Sequence, residues 1–231
     1  MRGLVLDVDD TVYLEQTYVA SGFAAVEAWC ANSLGVLGVG ARAWRLFEDG
    51  GRGTTLTDAL RDLGVEVTPE VRRAVVDAYR AHIPDIELLP DARALIELAR
   101  SLAIPVGVVT DGPVSSQRAK VAALGLGALA KVVVVTAEWG TSKPDPAVFL
   151  AVEKGLSLAG HELVYVADNP IKDFQGPQAL GWKSVRVRRE GALHYQLATP
   201  PGVTEVPRLD SHGLVGLLSR SAAEAREAET K

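Results

Sequence analysis

The chain has 231 residues, of which 48% are apolar, and its formal net charge is −5. This composition is too apolar for a disordered chain, and the charge favours neither nucleic acid nor an anionic membrane surface as a partner. The single cysteine, Cys30, excludes an internal disulfide, and no apolar run approaches the ~18 residues of a membrane span. We therefore expect a cytoplasmic protein with one large domain, or one domain with an insertion.

Short apolar runs predict five buried strands. The runs are Leu4–Leu6, Pro105–Val109, Val132–Val135, Leu163–Val166 and Ser184–Val187. Continuous Val and Leu residues, rather than alternating ones, are typical of parallel strands that are covered on both faces. Helical segments separate the runs, and this alternation predicts an α/β fold with a doubly wound, Rossmann-like parallel sheet.

Proline and glycine residues mark the predicted helix boundaries. Prolines that suit the first position of a helix are Pro113, Pro146 and Pro170. Asp145 and Asn169 precede the second and third of these prolines and are suitable N-caps. Glycines that suit helix ends are Gly125, Gly155 and Gly181.

Residues 14–88 interrupt this alternation, because their pattern is helical throughout. Val19, Phe23, Val26 and Cys30 fall on one helical stripe. A crossover of this length is unusual between two strands. We predict an inserted α-helical cap at 15–88 and a core domain formed by 1–14 and 89–231. The cap is expected over the carboxyl ends of the strands, where such sheets bind ligands.

Acidic residues follow two of the predicted strands. Asp7 and Asp9 stand at the end of the first run, in LVLDVDDTV, and Asp168 ends a later run, in VYVADNPIKD. A carboxylate such as Asp7 can attack a phosphoryl group, and Asp9 is placed to protonate the leaving alcohol. We expect Asp7 and Asp168 to end adjacent strands and to bind one Mg²⁺, which prefers oxygen ligands.

Other polar residues at strand ends suit phosphate binding. The hydroxyl of Thr110 and the backbone N–H groups of Asp111 and Gly112 can bind phosphate oxygens. Lys143, in TSKPDP, can supply a positive charge to the phosphoryl group and to the nucleophile. Asp173 is expected to orient Lys143 or a metal-bound water, and Asn169 to support the metal site from outside it.

One loop of the predicted cap carries a candidate substrate contact. In Gly50-Gly51-Arg52-Gly53, the glycines predict a flexible loop with a single cation. The loop could present Arg52 to a substrate anion, as a mobile lid does. It could equally be an ordinary turn, and both interpretations stay open.

The chain resembles the haloacid dehalogenase superfamily of hydrolases. Four motifs occur in the order of that family, namely DVDDT, VVTDG, SKPDP and DNPIKD, and the resemblance covers 1–14 and 89–215. It implies a phosphatase of this superfamily with a C1-type helical cap. It further implies that Asp7 is the nucleophile and that Asp9 is the acid/base, whose backbone carbonyl also contacts Mg²⁺.

Two positions depart from the pattern of the family. The fourth motif commonly begins with Gly-Asp, and here it is Ala167-Asp168. The second motif often reads Thr-Asn-Gly, and here Asp111 replaces the asparagine. The additional carboxylate could repel the phosphate or could contact another part of the substrate, so Asp111 is a candidate substrate-binding residue.

The residues also limit the reaction class. Haloalkanoic-acid dehalogenases of this superfamily lack an aspartate at the position of Asp9, and phosphonatases use a cap lysine, whereas residues 14–88 contain no lysine. We therefore predict a Mg²⁺-dependent phosphomonoester hydrolase for a small phosphorylated metabolite, a sugar phosphate or a nucleotide, acting through an aspartyl-phosphate as a monomer or homodimer. The alternatives are a phosphomutase, a non-catalytic metabolite-binding protein and a phospho-accepting signalling domain.

Overall fold

The computed structural model describes residues 1–216, 218 and 219, so the last part of the predicted core, to residue 231, lies outside the described residues. The chain divides into two compact units, one of Met1–Glu15 with Glu87–Lys231 and one of Gln16–Ile86. The first unit contains the sheet and the second is helical. The cap role of the second unit stays a prediction. Within the described part of the chain, no helix combines the length and apolarity that a membrane span requires.

Six parallel strands form one sheet in the order β3-β2-β1-β4-β5-β6. Strand order reverses on either side of β1, which is the arrangement of a doubly wound sheet. The α/β fold predicted from the sequence is therefore confirmed. The strands are β1 (Gly3–Leu6), β2 (Val106–Thr110), β3 (Val132–Val135), β4 (Leu163–Ala167), β5 (Lys183–Val187) and β6 (Thr204–Val206).

The helical unit has a hydrophobic core of its own. The predicted stripe of α1, which includes Val19, Phe23 and Val26, is buried against Leu60 and Val75 from later helices. Apolar faces that pack together in this way supply most of the stability of short helices. The helices are α1 (Glu15–Leu34), α2 (Val39–Glu48), α3 (Thr55–Asp62) and α4 (Pro69–Ala81).

The first unit also contains the α-helices that lie between its strands in the sequence. They are α5 (Pro90–Ser101), α6 (Val114–Ala123), α7 (Leu126–Leu129), α8 (Pro146–Leu156) and α9 (Gln175–Ala179). Pro146 begins α8 as predicted, and the side chain of Asp145 caps the helix by accepting the N–H of Ala147. The predicted helix end at Gly155 is wrong, because α8 continues to Leu156 and ends where Ser157 adopts a left-handed conformation.

The segment after β4 also differs from its prediction. Pro170 does not begin a helix, since α9 begins at Gln175. The Asn169 side chain accepts the N–H of Ile171 at 3.0 Å, and the Asp173 carboxylate accepts the N–H of Asn169 at 2.9 Å. These hydrogen bonds between side chains and nearby backbone groups stabilise turns in place of helix. Asp173 therefore lies in a turn rather than in the first turn of a helix.

Candidate active site

Three buried carboxylates meet at the carboxyl edge of the sheet. Asp7 follows β1 and Asp168 follows β4, and these strands are neighbours, with Leu6 opposite Val166. The turn before α9 brings Asp173 to the same place. One carboxylate oxygen from each aspartate lies within 4.8 Å of the others. The sheet topology thus assembles a carboxylate cluster from two motifs that are far apart in the sequence.

The ammonium group of Lys143 lies among these carboxylates. Its Nζ is 2.8 Å from Asp7 Oδ1 and 2.6 Å from Asp173 Oδ1, and it donates to the hydroxyl of Tyr165 at 3.1 Å. Burial opposes the charge of Lys143, but Asp173 and Asp7 outweigh this effect and hold its pKa well above the ordinary value. Lys143 is therefore a buried cation that fixes the carboxylate of Asp7.

The cluster has more acidic groups than its one lysine can balance. Burial raises the pKa of Asp7 to about 7 despite the attraction of Lys143. Burial, with added repulsion from Asp7 and Asp173, raises the pKa of Asp168 to about 9. Among the described residues, the buried Oδ2 of Asp168 has no hydrogen-bond partner. A divalent cation, which prefers carboxylate oxygens and supplies the missing positive charge, fits this set of groups.

The strand next to β1 supplies the predicted phosphate-binding residues. Thr110 is the last residue of β2, and its buried hydroxyl donates to Oε1 of Gln117 at 2.7 Å. Gly112 has a φ of 142°, and a Cβ at this position would lie 2.8 Å from Nε2 of Gln117. Only glycine combines this backbone conformation with the close approach of the Gln117 amide.

Asp111 connects three segments of the site. Its Oδ1 accepts the hydroxyl of Thr136 at 2.5 Å and the backbone N–H of Lys143 at 3.2 Å, and its Oδ2 accepts the ammonium of Lys172 at 2.8 Å. Burial disfavours the charge of Asp111, but the hydrogen bonds from Lys172 and Thr136 hold its pKa below the ordinary value. The additional carboxylate is thus paired with the partly exposed ammonium group of Lys172.

Asp9 lies two residues after Asp7, and its carboxylate has three donors. Lys120 Nζ is 2.6 Å from Oδ1, which also accepts the hydroxyl of Tyr13. The Nε2 of Gln117 donates to Oδ2 at 3.2 Å. Burial opposes the charge of Asp9, but Lys120 and the other donors outweigh it and lower the pKa below the ordinary value.

Arg52 belongs to the helical unit. Its guanidinium donates to the carbonyl oxygens of Phe47 at 2.8 Å and Gly51 at 2.6 Å, and it lies 4.0 Å from the centroid of the Phe47 ring. These contacts hold the side chain against its own loop. The predicted contact between Arg52 and a substrate stays a prediction.

Several polar residues of the site were not identified from the sequence. They are Tyr13, Gln117, Lys120, Tyr165 and Lys172, whose contacts are given above. A signal for two of them was present, because Gln117 and Lys120 continue the stripe formed by Val121 and Leu124 in a predicted helix. Polar residues in line with an apolar stripe lie on its buried face, where they need polar partners.

Comparisons with known proteins agree with this geometry. The family model described as haloacid dehalogenase-like hydrolase matches residues 1–181. The chain is 31% identical to a glyceraldehyde 3-phosphate phosphatase of Methanopyrus kandleri, over 64% of this chain and 63% of the relative. It is 30% identical to a phosphoserine phosphatase of Thermus thermophilus, over 74% of this chain and 66% of the relative. The match therefore spans slightly less than two thirds of each of these relatives.

A solved structure of another hydrolase has the same fold as this chain. The hydrolase YfnB of Bacillus subtilis, determined with bound magnesium, superposes with a TM-score of 0.66 at 19% identity, over 94% of this chain and 98% of that protein. At 19% identity, this likeness shows the fold alone. The family model, by contrast, covers most of the chain, including every strand up to β4 and the carboxylate cluster. The chain belongs to the haloacid dehalogenase-like hydrolase family.

Proposed function

We propose that this protein is a Mg²⁺-dependent phosphomonoesterase that uses Asp7 as its nucleophile. The observation that carries the proposal is the buried cluster of Asp7, Asp168 and Asp173 around Lys143. Two relatives named as phosphatases add support. A buried carboxylate that is held by a lysine and lies beside a cation site is suited to attack an anionic phosphate ester.

The metal ligands in this proposal are the carboxylates of Asp7 and Asp168 and the backbone carbonyl of Asp9. When bound, Mg²⁺ would screen the charge of Asp7 against the phosphate and stabilise charge on the phosphoryl oxygens. Asp173 contributes by holding Lys143, from which it is 2.6 Å away. Asn169 contributes through its N–H, which fixes the second oxygen of Asp173 at 2.9 Å.

In the first step, a carboxylate oxygen of Asp7 attacks phosphorus and the ester P–O bond breaks. Because the pKa of Asp9 is lowered, the protonated Asp9 that reacts is a minority form. It gives its proton to the departing oxygen, so the products are an alcohol, an aspartyl-phosphate and an Asp9 carboxylate. Asp9 lies two residues after Asp7, and both follow the end of β1 in the same segment. General acid catalysis of this kind typically contributes about 10²–10⁴-fold.

In the second step, the Asp9 carboxylate takes a proton from water as the water oxygen attacks phosphorus. The bond between phosphorus and the Asp7 oxygen breaks. Inorganic phosphate leaves, and Asp7 returns as a carboxylate while Asp9 is again protonated. Lys143, 2.8 Å from Asp7, stabilises the carboxylate that this step restores.

Phosphate binding in this proposal falls to the segment after β2. The backbone N–H groups of Asp111 and Gly112 would donate to the phosphate oxygens that do not react. Thr110 would join them when its one hydroxyl hydrogen turns from Gln117 to the phosphate. The carboxylate of Asp111 accepts the backbone N–H of Lys143 at 3.2 Å, and this hydrogen bond connects the segment after β2 to the segment that carries Lys143. Preorganised donors of this kind avoid reorganisation during the reaction.

We propose a small phosphorylated metabolite as the substrate, either a sugar phosphate or a nucleotide. The two curated relatives are named for glyceraldehyde 3-phosphate and phosphoserine, which are both small phosphate esters. In this proposal the helical unit, with Arg52, acts as a C1-type cap that selects the substrate. The chain enters that unit soon after Asp7 and Asp9, which is the position expected for such a cap.

Release of inorganic phosphate tests the proposal. The panel would include glyceraldehyde 3-phosphate, phosphoserine, sugar phosphates, nucleoside monophosphates and 4-nitrophenyl phosphate, each with Mg²⁺ and with chelator. We expect Mg²⁺-dependent release that Asp7→Asn abolishes and that Asp145→Asn, a change at the N-cap of α8, leaves intact. Failure of the folded protein with Mg²⁺ to release phosphate from any member would contradict the proposal.

The same assay separates the alternatives that the sequence leaves open. A phosphomutase would convert a sugar phosphate to its isomer with little phosphate release, and a binding protein would do neither. The cytoplasmic location stays a prediction that cell fractionation would test. The oligomeric state, monomer or homodimer, stays a prediction that sedimentation would test.

A further inference from the structure

Helix α6 buries the amide of Gln117 and the ammonium group of Lys120. Gln117 and Lys120 are both 3% exposed, and they lie one helical turn apart on the side that also buries Val121. A buried ammonium group or amide is costly unless it finds partners, so their partners indicate why they are there. Both side chains contact Asp9, at 2.6 Å for Lys120 and 3.2 Å for Gln117.

The two contacts reach different oxygens of Asp9. Lys120 and Tyr13 donate to Oδ1, and Gln117 donates to Oδ2. A carboxylate that is held at both oxygens cannot rotate without losing a charge-assisted hydrogen bond. The orientation of Asp9 is therefore set by groups on a different element, α6, rather than by its own loop alone.

Gln117 has a second connection, to the expected phosphate-binding segment. Its Oε1 accepts the hydroxyl of Thr110 at 2.7 Å, and its Nε2 donates to the carbonyl of Asp111 at 3.2 Å as well as to Asp9. The amide is thus fixed at both ends. It joins the acid/base to the segment that would bind phosphate, so both groups keep one relative position.

We propose that Lys120 and Gln117 are positioning residues that align Asp9 for proton transfer to the leaving group. This inference rests on the phosphomonoesterase reaction proposed above. As the Asp9 proton moves to the departing oxygen, negative charge develops on Asp9, and the ammonium of Lys120 stabilises it at 2.6 Å. The contribution is largest for esters whose leaving group is strongly basic.

The test uses two substrates of similar shape. The leaving group of 4-nitrophenyl phosphate departs without a proton, whereas that of 4-nitrobenzyl phosphate is a basic alkoxide that needs one. We expect Lys120→Met to lower kcat/KM for the benzyl ester on the order of 10²-fold, the lower range of general acid catalysis. The same change should alter kcat/KM for the phenyl ester far less. Gln117→Leu should show the same selectivity to a smaller extent.

Controls separate positioning from a structural effect. Arg118→Met, on the same helix, removes a surface ion pair with Glu138 and should leave both esters unchanged. Lys120→Arg keeps the cation and should restore part of the loss on the benzyl ester. In an Asp9→Asn background, Lys120→Met should add little to the loss of first-step rate on the benzyl ester, because the two residues act as one unit.

The outcomes also distinguish this inference from the proposed function. If the wild-type protein cleaves neither ester, the phosphomonoesterase reaction itself fails. If the wild-type protein cleaves both and Asp9→Asn slows the first step selectively with the benzyl ester, the reaction stands. In that case, equal losses on both esters for Lys120→Met and Gln117→Leu, or no loss at all, would overturn the positioning role. If Lys120→Met does not fold, Gln117→Leu and Lys120→Arg decide.

Discussion

Asp111 illustrates how one carboxylate can order several loops. Its two oxygens accept from Thr136, from the backbone N–H of Lys143 and from Lys172. An asparagine could keep the contacts of one oxygen but could not form the ion pair with Lys172. From the sequence alone this carboxylate could repel a phosphate. Its contacts show that Lys172 balances the charge, a pairing that sequence spacing does not reveal.

Substitution of Asp111 should therefore act through Lys143. We expect Asp111→Ala to lower kcat/KM on the order of 10²-fold, because a small displacement of a positioned group has an effect of that size. Asp111→Asn should cost less, about tenfold or below, since it can still accept the N–H of Lys143. Steady-state kinetics with 4-nitrophenyl phosphate measure both. Wild-type activity in Asp111→Ala would show that the contacts of Asp111 do not position Lys143 for catalysis.

At the scale of elements, the buried strands were predicted more accurately than the helix boundaries. Continuous Val and Leu runs specify a strand covered on both faces, and all five predicted strands are present. The sixth, Thr204–Val206, has three residues and was not identified, because two of them are exposed and polar. Helix ends depend on tertiary contacts as well as on local residues, as Gly155 shows.

Gly155 lies inside α8, where the helix approaches β3 closely. A Cβ at this position would lie 2.8 Å from a methyl group of Val132, whereas a Cβ at Gly127 in α7 would meet nothing within 4 Å. We expect Gly155→Ala to lower the free energy of unfolding by about 1–3 kcal/mol through overpacking. Gly127→Ala should be neutral or stabilising by up to about 1 kcal/mol. Urea denaturation measures both, and equal effects would refute this account of α8.

At the scale of the whole molecule, the chain builds two units with separate hydrophobic cores. The carboxylate cluster lies entirely within the unit that contains the sheet. Sequence reasoning identified Asp7, Lys143 and Asp168 because strand ends of a parallel sheet meet at one edge. It did not identify Lys120 or Tyr165, because these residues approach the site through packing that a strand pattern does not specify.

Binding of Mg²⁺ should stabilise the whole molecule. Since the cation is expected to bind the folded carboxylate cluster and not the unfolded chain, a concentration of 100 times Kd should add about 2.7 kcal/mol of stability. Asp168→Asn, which removes an expected ligand, should lose most of this gain. Asp145→Asn, at the N-cap of α8, should retain it. Thermal unfolding with Mg²⁺ and with chelator measures the difference, and an undiminished gain in Asp168→Asn would place the cation elsewhere.

The covalent bond to Asp7 is the central claim, and Asp9→Asn offers the most direct measurement of it. The departure of 4-nitrophenol needs no proton, but the second step needs the base, so the variant should accumulate phosphoenzyme. We predict a burst of one 4-nitrophenol per protein with Mg²⁺, and mass spectrometry of the acid-quenched protein should place the phosphoryl group on Asp7. The double variant Asp7→Asn with Asp9→Asn should show neither. A burst that survives in the double variant, or a phosphoryl group on another residue, would contradict the account.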